Sequence, residues 1–259
     1  MAKPTYFYGI HAVAALLQQR PEAARALFLQ PSYQESGKED NADSQIHQIK
    51  TMAEQMGVSI QYAQKDKLAT LCHSPQHQGV VLHATPKAFA DESKIESISE
   101  QDDCLFLILD QVTDAHNLGA CLRTAVAMGV DAVICPKHHS ASLTATVAKV
   151  SVGALEIIPV IAVTNLSRCI EQLKKSGVFV FGTALEATAK PLPACDFTGK
   201  VALIMGSEGD GMRRLTTDKC DELVYIPMSG NSHGNLQSLN VSVATGMALY
   251  EISRQRHPS

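Results

Sequence analysis

No stretch of this 259-residue chain is apolar for long enough to cross a membrane. The longest run, IIPVIAV, is far short of the roughly 20 residues that a span needs. The first residues, MAKPTYFYGIHAVAALLQQR, hold one early lysine and a six-residue apolar run before Gln18, which makes a poor signal peptide. Seven cysteines, an odd number, are scattered without a C-x-x-C pair, so reduced thiols in a cytosolic protein are expected and a disulfide scaffold is not. A phosphate loop G-x-x-x-x-G-K-[ST] is missing, and so is the dinucleotide fingerprint G-x-G-x-x-G. Ten histidines invite a metal, and Cys72-His73 with His77, or His138-His139, could ligate zinc. No four-ligand spacing accompanies them, so no metal is expected.

An excess of positive charge is also lacking. Lys plus Arg is 22 against 26 for Asp plus Glu, a net charge of −4 with a pI near 6.2. A protein held to nucleic acid mainly by phosphate neutralisation is expected to be basic. Residues 1–86 carry seven basic and seven acidic side chains and residues 104–259 carry thirteen of each; the acidic excess sits in 87–103, where two lysines face six acids. Polyanion binding must therefore come from local clusters. Arg213-Arg214, Lys174-Lys175 and the Arg254/Arg256 tail are the available basic spots.

With 45% apolar and 19% charged residues, the chain has the composition of a folded protein. A chain of this size buries roughly 70–75% of its unfolded surface. The polar segment KAFADESKIESISEQDD, 87–103, reads as a linker or exposed crossing between two apolar-patterned regions, the alternative being a solvated surface helix within one domain. Before it, YFYGIHAVAALLQQ reads as a strand or turn and then a helix with Val13, Leu16 and Leu17 on one face. ALFLQ, VSIQYA and GVVLHA read as strands, with helices near Ser44 to Met56 and at LATLCH, giving a small α/β unit.

After the linker, the runs CLFLILD, DAVICP, VFVFGTA, VALIMG and LVYIPM alternate with helical patterns at 117–128, 143–150, 165–176 and 239–255. Strands buried on both faces and alternating with helices imply a mainly parallel sheet. Ligands in such sheets sit beyond the carboxyl ends of the strands, so the strand-end segments carry the functional information.

Three of them stand out. In LDQVTDAHNLGACLRTAVAMG (109–129), Asp110 and Asp114 surround a loop, and Asn117 sits where a helix begins, in place to cap it. Arg123 lies in an otherwise apolar stretch, either snorkelling to the surface or aimed at an anion. In VALIMGSEGDGMRRL (201–215), three glycines after a strand allow a tight turn and close approach to a ligand, with Glu208 among them. In LVYIPMSGNSHGNLQSLNVSVATGMALYE (223–251), a Gly/Ser/Asn-rich loop leads to Ser238-Leu239-Asn240 and a helix with Ser238, Ser242, Thr245 and Gly246 on a small-residue face.

In order, spacing and placement these segments resemble the three motifs of the SpoU/TrmH-type RNA ribose 2′-O-methyltransferases, across roughly 104–256. YGIHAV and HQGVV (77–81) are similar to that family's small L30e-like RNA-binding domain. Within the family, MGSEGDGMRRLT, CDEL and SLNVSVATG look most like the bacterial enzymes that methylate a guanosine in the peptidyl-transferase P-loop of 23S rRNA. The resemblance implies an L30e-like RNA substrate-binding domain at 1–86, an acidic linker at 87–103, and an α/β methyltransferase domain at 104–259 with a mainly parallel sheet and a C-terminal trefoil knot. It also implies a homodimer, an RNA substrate and S-adenosylmethionine as methyl donor.

Carried over by motif, Gly206, Ile226 and Leu239 match cofactor-contacting positions, and Thr183 closes the same pocket. Asn117, Arg123, Glu208, Ser238 and Asn240 match the active-site set, with Arg123 central to catalysis. Ala115 departs from the family's usual proline, and the loop 230–237 is about four residues longer than usual. The competing readings are a nucleotide-dependent oxidoreductase on a similar sheet, a tRNA methyltransferase of the same family, and an RNA-binding relative that has lost catalysis.

Overall fold

The structure, a computed structural model, describes residues 5–33, 41–228 and 238–257. Two compact units form, and they do not follow chain order: the chain up to Ala88 joins with Ser142–Ile157, and Phe89–Ala141 joins with the remainder from Ile158.

In the first unit, β1 (Thr5–Tyr8) leads into α1 (Ile10–Gln19), whose Ile10, Val13, Leu16 and Leu17 form a buried stripe at helical spacing. β2 (Ala24–Leu29), α2 (Asn41–Gln55), β3 (Ser59–Tyr62), α3 (Lys65–Cys72) and β4 (Val80–Ala84) complete the leading part. The sheet order is β1-β4-β2-β3, with β4 antiparallel to both neighbours and β2 parallel to β3.

The segment 87–103 is not a free crossing. Its α4 (Ser93–Ser99) buries Ile95 in the core of the second unit, and Ala90 bridges to Ile161 in parallel. Within a polar sequence, Ile95 and Ile98 seat this short helix on that core.

The second unit then runs through β5 (Leu105–Leu109), α5 (Ala115–Ala127) and β6 (Ala132–Pro136). Between β6 and the next strand the chain leaves to build α6 (Ala145–Val150) and α7 (Ala154–Ile157) of the first unit, where Ala145 packs against Tyr8, Leu68, Cys72 and Val81. It returns as β7 (Val160–Val163), α8 (Leu166–Lys175), β8 (Phe179–Thr183), β9 (Lys190–Pro191), β10 (Val201–Met205), α9 (Arg214–Thr217), β11 (Glu222–Tyr225) and α10 (Val241–Arg256). β5, β6 and β10 are buried at every position, as strands covered on both faces require.

The seven strands run in the order β7-β6-β5-β10-β8-β11-β9, and each pairing is parallel. From β5 the chain builds outward to β6 and β7, then crosses to β8 on the other side and later inserts β10 between β5 and β8. The direction of winding therefore reverses at β5/β10, which is where such sheets open a crevice at their carboxyl ends. No described helix is long and apolar enough to cross a membrane.

α10 packs on α5 through its small residues: Thr245 is buried and meets Cys121, and Gly246 lies near the Thr124 methyl. Its end is tied down by Gln255, which bonds the backbone of Phe197 and Cys195. Arg256 adds donations to the carbonyls of Asp103, Phe197 and Gly199. The C-terminal end of α10 is thus fixed to the segments that lead into β5 and β10.

Candidate active site

The carboxyl ends of β5, β8, β10 and β11 and the start of α10 meet in one place. At β5, Asp114 caps α5 by accepting from the Asn117 backbone N–H at 2.8 Å. Asn117 is therefore not the cap its position in the sequence offered, but the third residue of the first turn. Because Asp114 does the capping, the Asn117 side chain is free for another partner. Ala115 occupies the first helical position, where the family's proline would also lack a bonded N–H, so its replacement removes no hydrogen bond.

After β10 the chain folds back on itself. Ser207 and Gly211 exchange backbone hydrogen bonds of 3.0 and 3.1 Å. This packs the 211–212 backbone onto Gly206, where a Cβ would lie 2.2 Å from the Gly211 carbonyl carbon and 2.3 Å from the Met212 nitrogen. Only glycine fits there, because both obstructions are main chain.

At the tip of this loop, Glu208 Oε1 accepts from Asn117 Nδ2 at 3.0 Å, from the Val241 backbone N–H at 3.2 Å and from Asn240 Nδ2. Asn240 Nδ2 also reaches Asn117 Oδ1 at 3.0 Å. Asn240 Oδ1 caps α10, accepting from the Ser242 N–H at 3.0 Å and its hydroxyl at 2.6 Å. The carboxylate sits at the positive end of α10, where a negative charge is stabilised. Glu208, Asn117 and Asn240 come from three segments far apart in sequence, and the fold brings them together. Glu208 Oε2 has no hydrogen-bond partner among the described residues.

Beside this junction lies a cavity of about 380 Å³, within the range of about 300–1,000 Å³ usual for small-molecule sites. Thr183, Gly206, Ile226 and Leu239 all line it, together with Glu208 and Ser238. Asn117, Asn240 and Arg123 are not among its lining residues. Met205, Val224 and Leu185 add apolar wall, and Thr183 is held by donating to the Ile204 carbonyl at 3.0 Å. Tyr225 and Met228 also line the cavity and had no distinguishing signal in the sequence beyond following a strand. Apolar walls suit a purine ring, glycine-loop and strand-end backbone can bond its edge, and the Glu208 and Asp210 carboxylates suit a cationic donor. The residues present fit S-adenosylmethionine. The expectation for loop 230–237 lies outside the described residues.

Arg123 stands on α5 beyond Asn117, exposed, with no hydrogen bond or ion pair among the described residues. Several other basic spots are already engaged. Arg213 is bound to Asp110, Lys174 to Asp221, Arg254 to Glu251, and Arg256 to backbone carbonyls. Arg214 is exposed and has no ion pair among the described residues.

All seven cysteines are free thiols. Burial pushes Cys121 and Cys135 up to about 11 and Cys169 and Cys220 up to about 12. None of these four offers a thiolate nucleophile near neutral pH. Among the described residues, no group of three or more His, Cys, Asp or Glu is arranged to hold a metal ion.

Two known family profiles match successive parts of the chain. The profile of the SpoU rRNA Methylase family matches residues 104–250, and that of RNA 2′-O ribose methyltransferase substrate binding matches residues 6–90. The chain is 48% identical over 258 residues to a 23S rRNA (guanosine-2′-O-)-methyltransferase RlmB of Acinetobacter baylyi, covering 99% of both chains. It is 45% identical over 250 residues to the Escherichia coli protein of that name, covering 96% of this chain and 98% of that one. In fold it is similar to the SpoU methyltransferase AviRb of Streptomyces viridochromogenes, solved in complex with the cofactor AdoMet. That likeness has a TM-score of 0.76 at 21% identity and covers 98% of this chain and 90% of that one.

Proposed function

Because the chain belongs to the SpoU rRNA methylase family, we propose that it is an S-adenosylmethionine-dependent 2′-O-methyltransferase acting on a guanosine ribose of 23S rRNA. The observation that carries this reading is the Glu208, Asn117 and Asn240 junction beside a cavity built from strand ends and a glycine loop.

When bound, S-adenosylmethionine supplies a methyl carbon already activated by its sulfonium. The chain's own task is then alignment and water exclusion. Backbone groups of Gly206, Ile226 and Leu239, with the Thr183 side chain, hold the donor; the apolar wall of Val224 and Met205 keeps water out. Glu208 fixes Asn117 and Asn240 at the junction, and Ser238 borders the same cavity. The exposed guanidinium of Arg123, a planar donor fork, contacts an RNA phosphate and orients the ribose.

The leading segment, matched by the substrate-binding profile, holds the RNA. Val243, Met247 and Tyr250 lie exposed at helical spacing along α10 and supply an apolar face for a second copy, so the proposal includes a homodimer. The deep trefoil knot that the resemblance implies belongs to the same proposal. Free thiols are in keeping with a cytoplasmic setting.

Arg123→Ala tests the assignment. Methyl transfer to an rRNA transcript is expected to fall by about a hundredfold, with no change in the thermal midpoint because the side chain is exposed and unpaired. Arg123→Lys with near wild-type activity across a pH–rate profile would contradict a special role for the guanidinium.

A further inference from the structure

At the end of β5, inside the sheet, Asp110 is fully buried. Its backbone N–H still donates into the strand ladder, to the Met205 carbonyl at 2.9 Å. Its carboxylate is committed to one residue of the glycine loop. Arg213 donates its backbone N–H to Oδ2 at 3.1 Å and its Nε to Oδ1 at 2.8 Å, while Nη2 lies 2.7 Å from the same oxygen. A buried carboxylate left without its cation is strongly disfavoured, which keeps Arg213 on Asp110.

Arg213 closes the loop that begins at Gly206. The two ends of the loop close on each other where the 211–212 backbone packs onto Gly206, and the far end is pinned beside β5 by Asp110. Glu208, which gathers Asn117 and Asn240, rides between these two anchors. β5, which Asp110 directly follows, also leads within a few residues to Asp114 and Asn117. Asp110 thus references both sides of the junction to the same strand end.

We infer that Asp110 and Arg213 are positioning residues for methyl transfer. Asp110 fixes the 206–213 loop through the Arg213 fork, and Arg213 is not one of the cations that meet RNA. The inference rests on the reading of this cavity as the methyl-donor site. A lysine at 213 would keep the charge but could not make the forked contact.

The full-length chain carrying Arg213→Lys, Arg213→Gln, Asp110→Asn or the double change Asp110→Asn/Arg213→Gln decides it. The readouts are donor affinity by calorimetry, kcat and KM on an rRNA transcript, and thermal unfolding. Arg213→Lys is expected to lower kcat by about tenfold or more, because misplacement of an aligned group is costly. KM for RNA should stay within about twofold, since no phosphate contact is lost, and donor affinity should weaken in step with kcat. The double variant should be no worse than Arg213→Gln alone, as for two residues acting through one contact.

A rise in RNA KM with kcat preserved, a wild-type Arg213→Lys, or additive losses would each overturn the inference. If Asp110→Asn does not fold, the two Arg213 variants still decide. If the unaltered chain transfers no methyl group to RNA, the proposed function fails separately, and unchanged donor affinity in the variants would still refute the positioning role.

Discussion

Glu208 concentrates three donors on one carboxylate oxygen, and two of them come from amide side chains that also bond each other. A network of this kind specifies geometry more than it adds stability, because each partner fixes the rotamer of the next. Its position depends on Gly206, where the main chain of Gly211 and Met212 fills the space a side chain would need. Gly206→Ala should therefore destabilise the protein by about 1–3 kcal/mol, read as a lower midpoint in denaturant, and should abolish donor uptake in calorimetry. A variant as stable as the parent with donor binding intact would contradict the described loop. At this scale the sequence revealed the residue types but not their partners. Asn117 had the identity and place of a helix cap, yet Asp114 takes that role and leaves Asn117 for Glu208. Asp110 carried no sign of its partnership with Arg213, because a pair separated by 103 positions leaves no local pattern.

Among the elements, α10 carries the most constraints. Asn240 caps its start and joins the Glu208 junction, and Gln255 and Arg256 bind its end to the entrances of β5 and β10. On its flank, Arg254 and Gln255 donate to Glu251 and hold its carboxyl down at about 2 against an ordinary 4.5. A carboxylate depressed in the folded state contributes stability above its unfolded value and loses it as pH falls toward the folded one. The difference in unfolding free energy between the parent and Glu251→Gln should thus be full above pH 4.5 and vanish as pH approaches 2. A difference independent of pH in urea titrations would contradict the ion pair. Elements with strong periodicity were legible: β5, β6, β8 and β10 fall on the apolar runs, and α1, α5 and α8 on the helical patterns. β7 comes from the IIPVIAV run, whose apolar character did not distinguish strand from helix. β9 is two residues long and has no pattern to read.

For the whole molecule, the parallel seven-stranded sheet follows from strands apolar on both faces, and the switch in winding at β5/β10 places the cavity. Chain order alone could not show that Ser142–Ile157 would leave this sheet to complete the first unit. There Glu156, with its side chain 2% exposed, is held by Arg20 at 2.7 Å, a long-range pair that sequence spacing does not announce. The neutral charge balance on either side of 87–103 leaves exposed cations such as Arg123 and Arg214, rather than bulk charge, to meet a polyanion. The proposed activity turns on which atom receives the methyl group. The most direct measurement is transfer of tritiated methyl from S-adenosylmethionine to 23S rRNA transcript by the purified full-length chain, followed by alkaline hydrolysis. Label is expected in an alkali-resistant dinucleotide beginning with guanosine, because a methylated 2′-oxygen cannot attack its neighbouring phosphate. Label on a base, released in mononucleotides, or no transfer at all would contradict it.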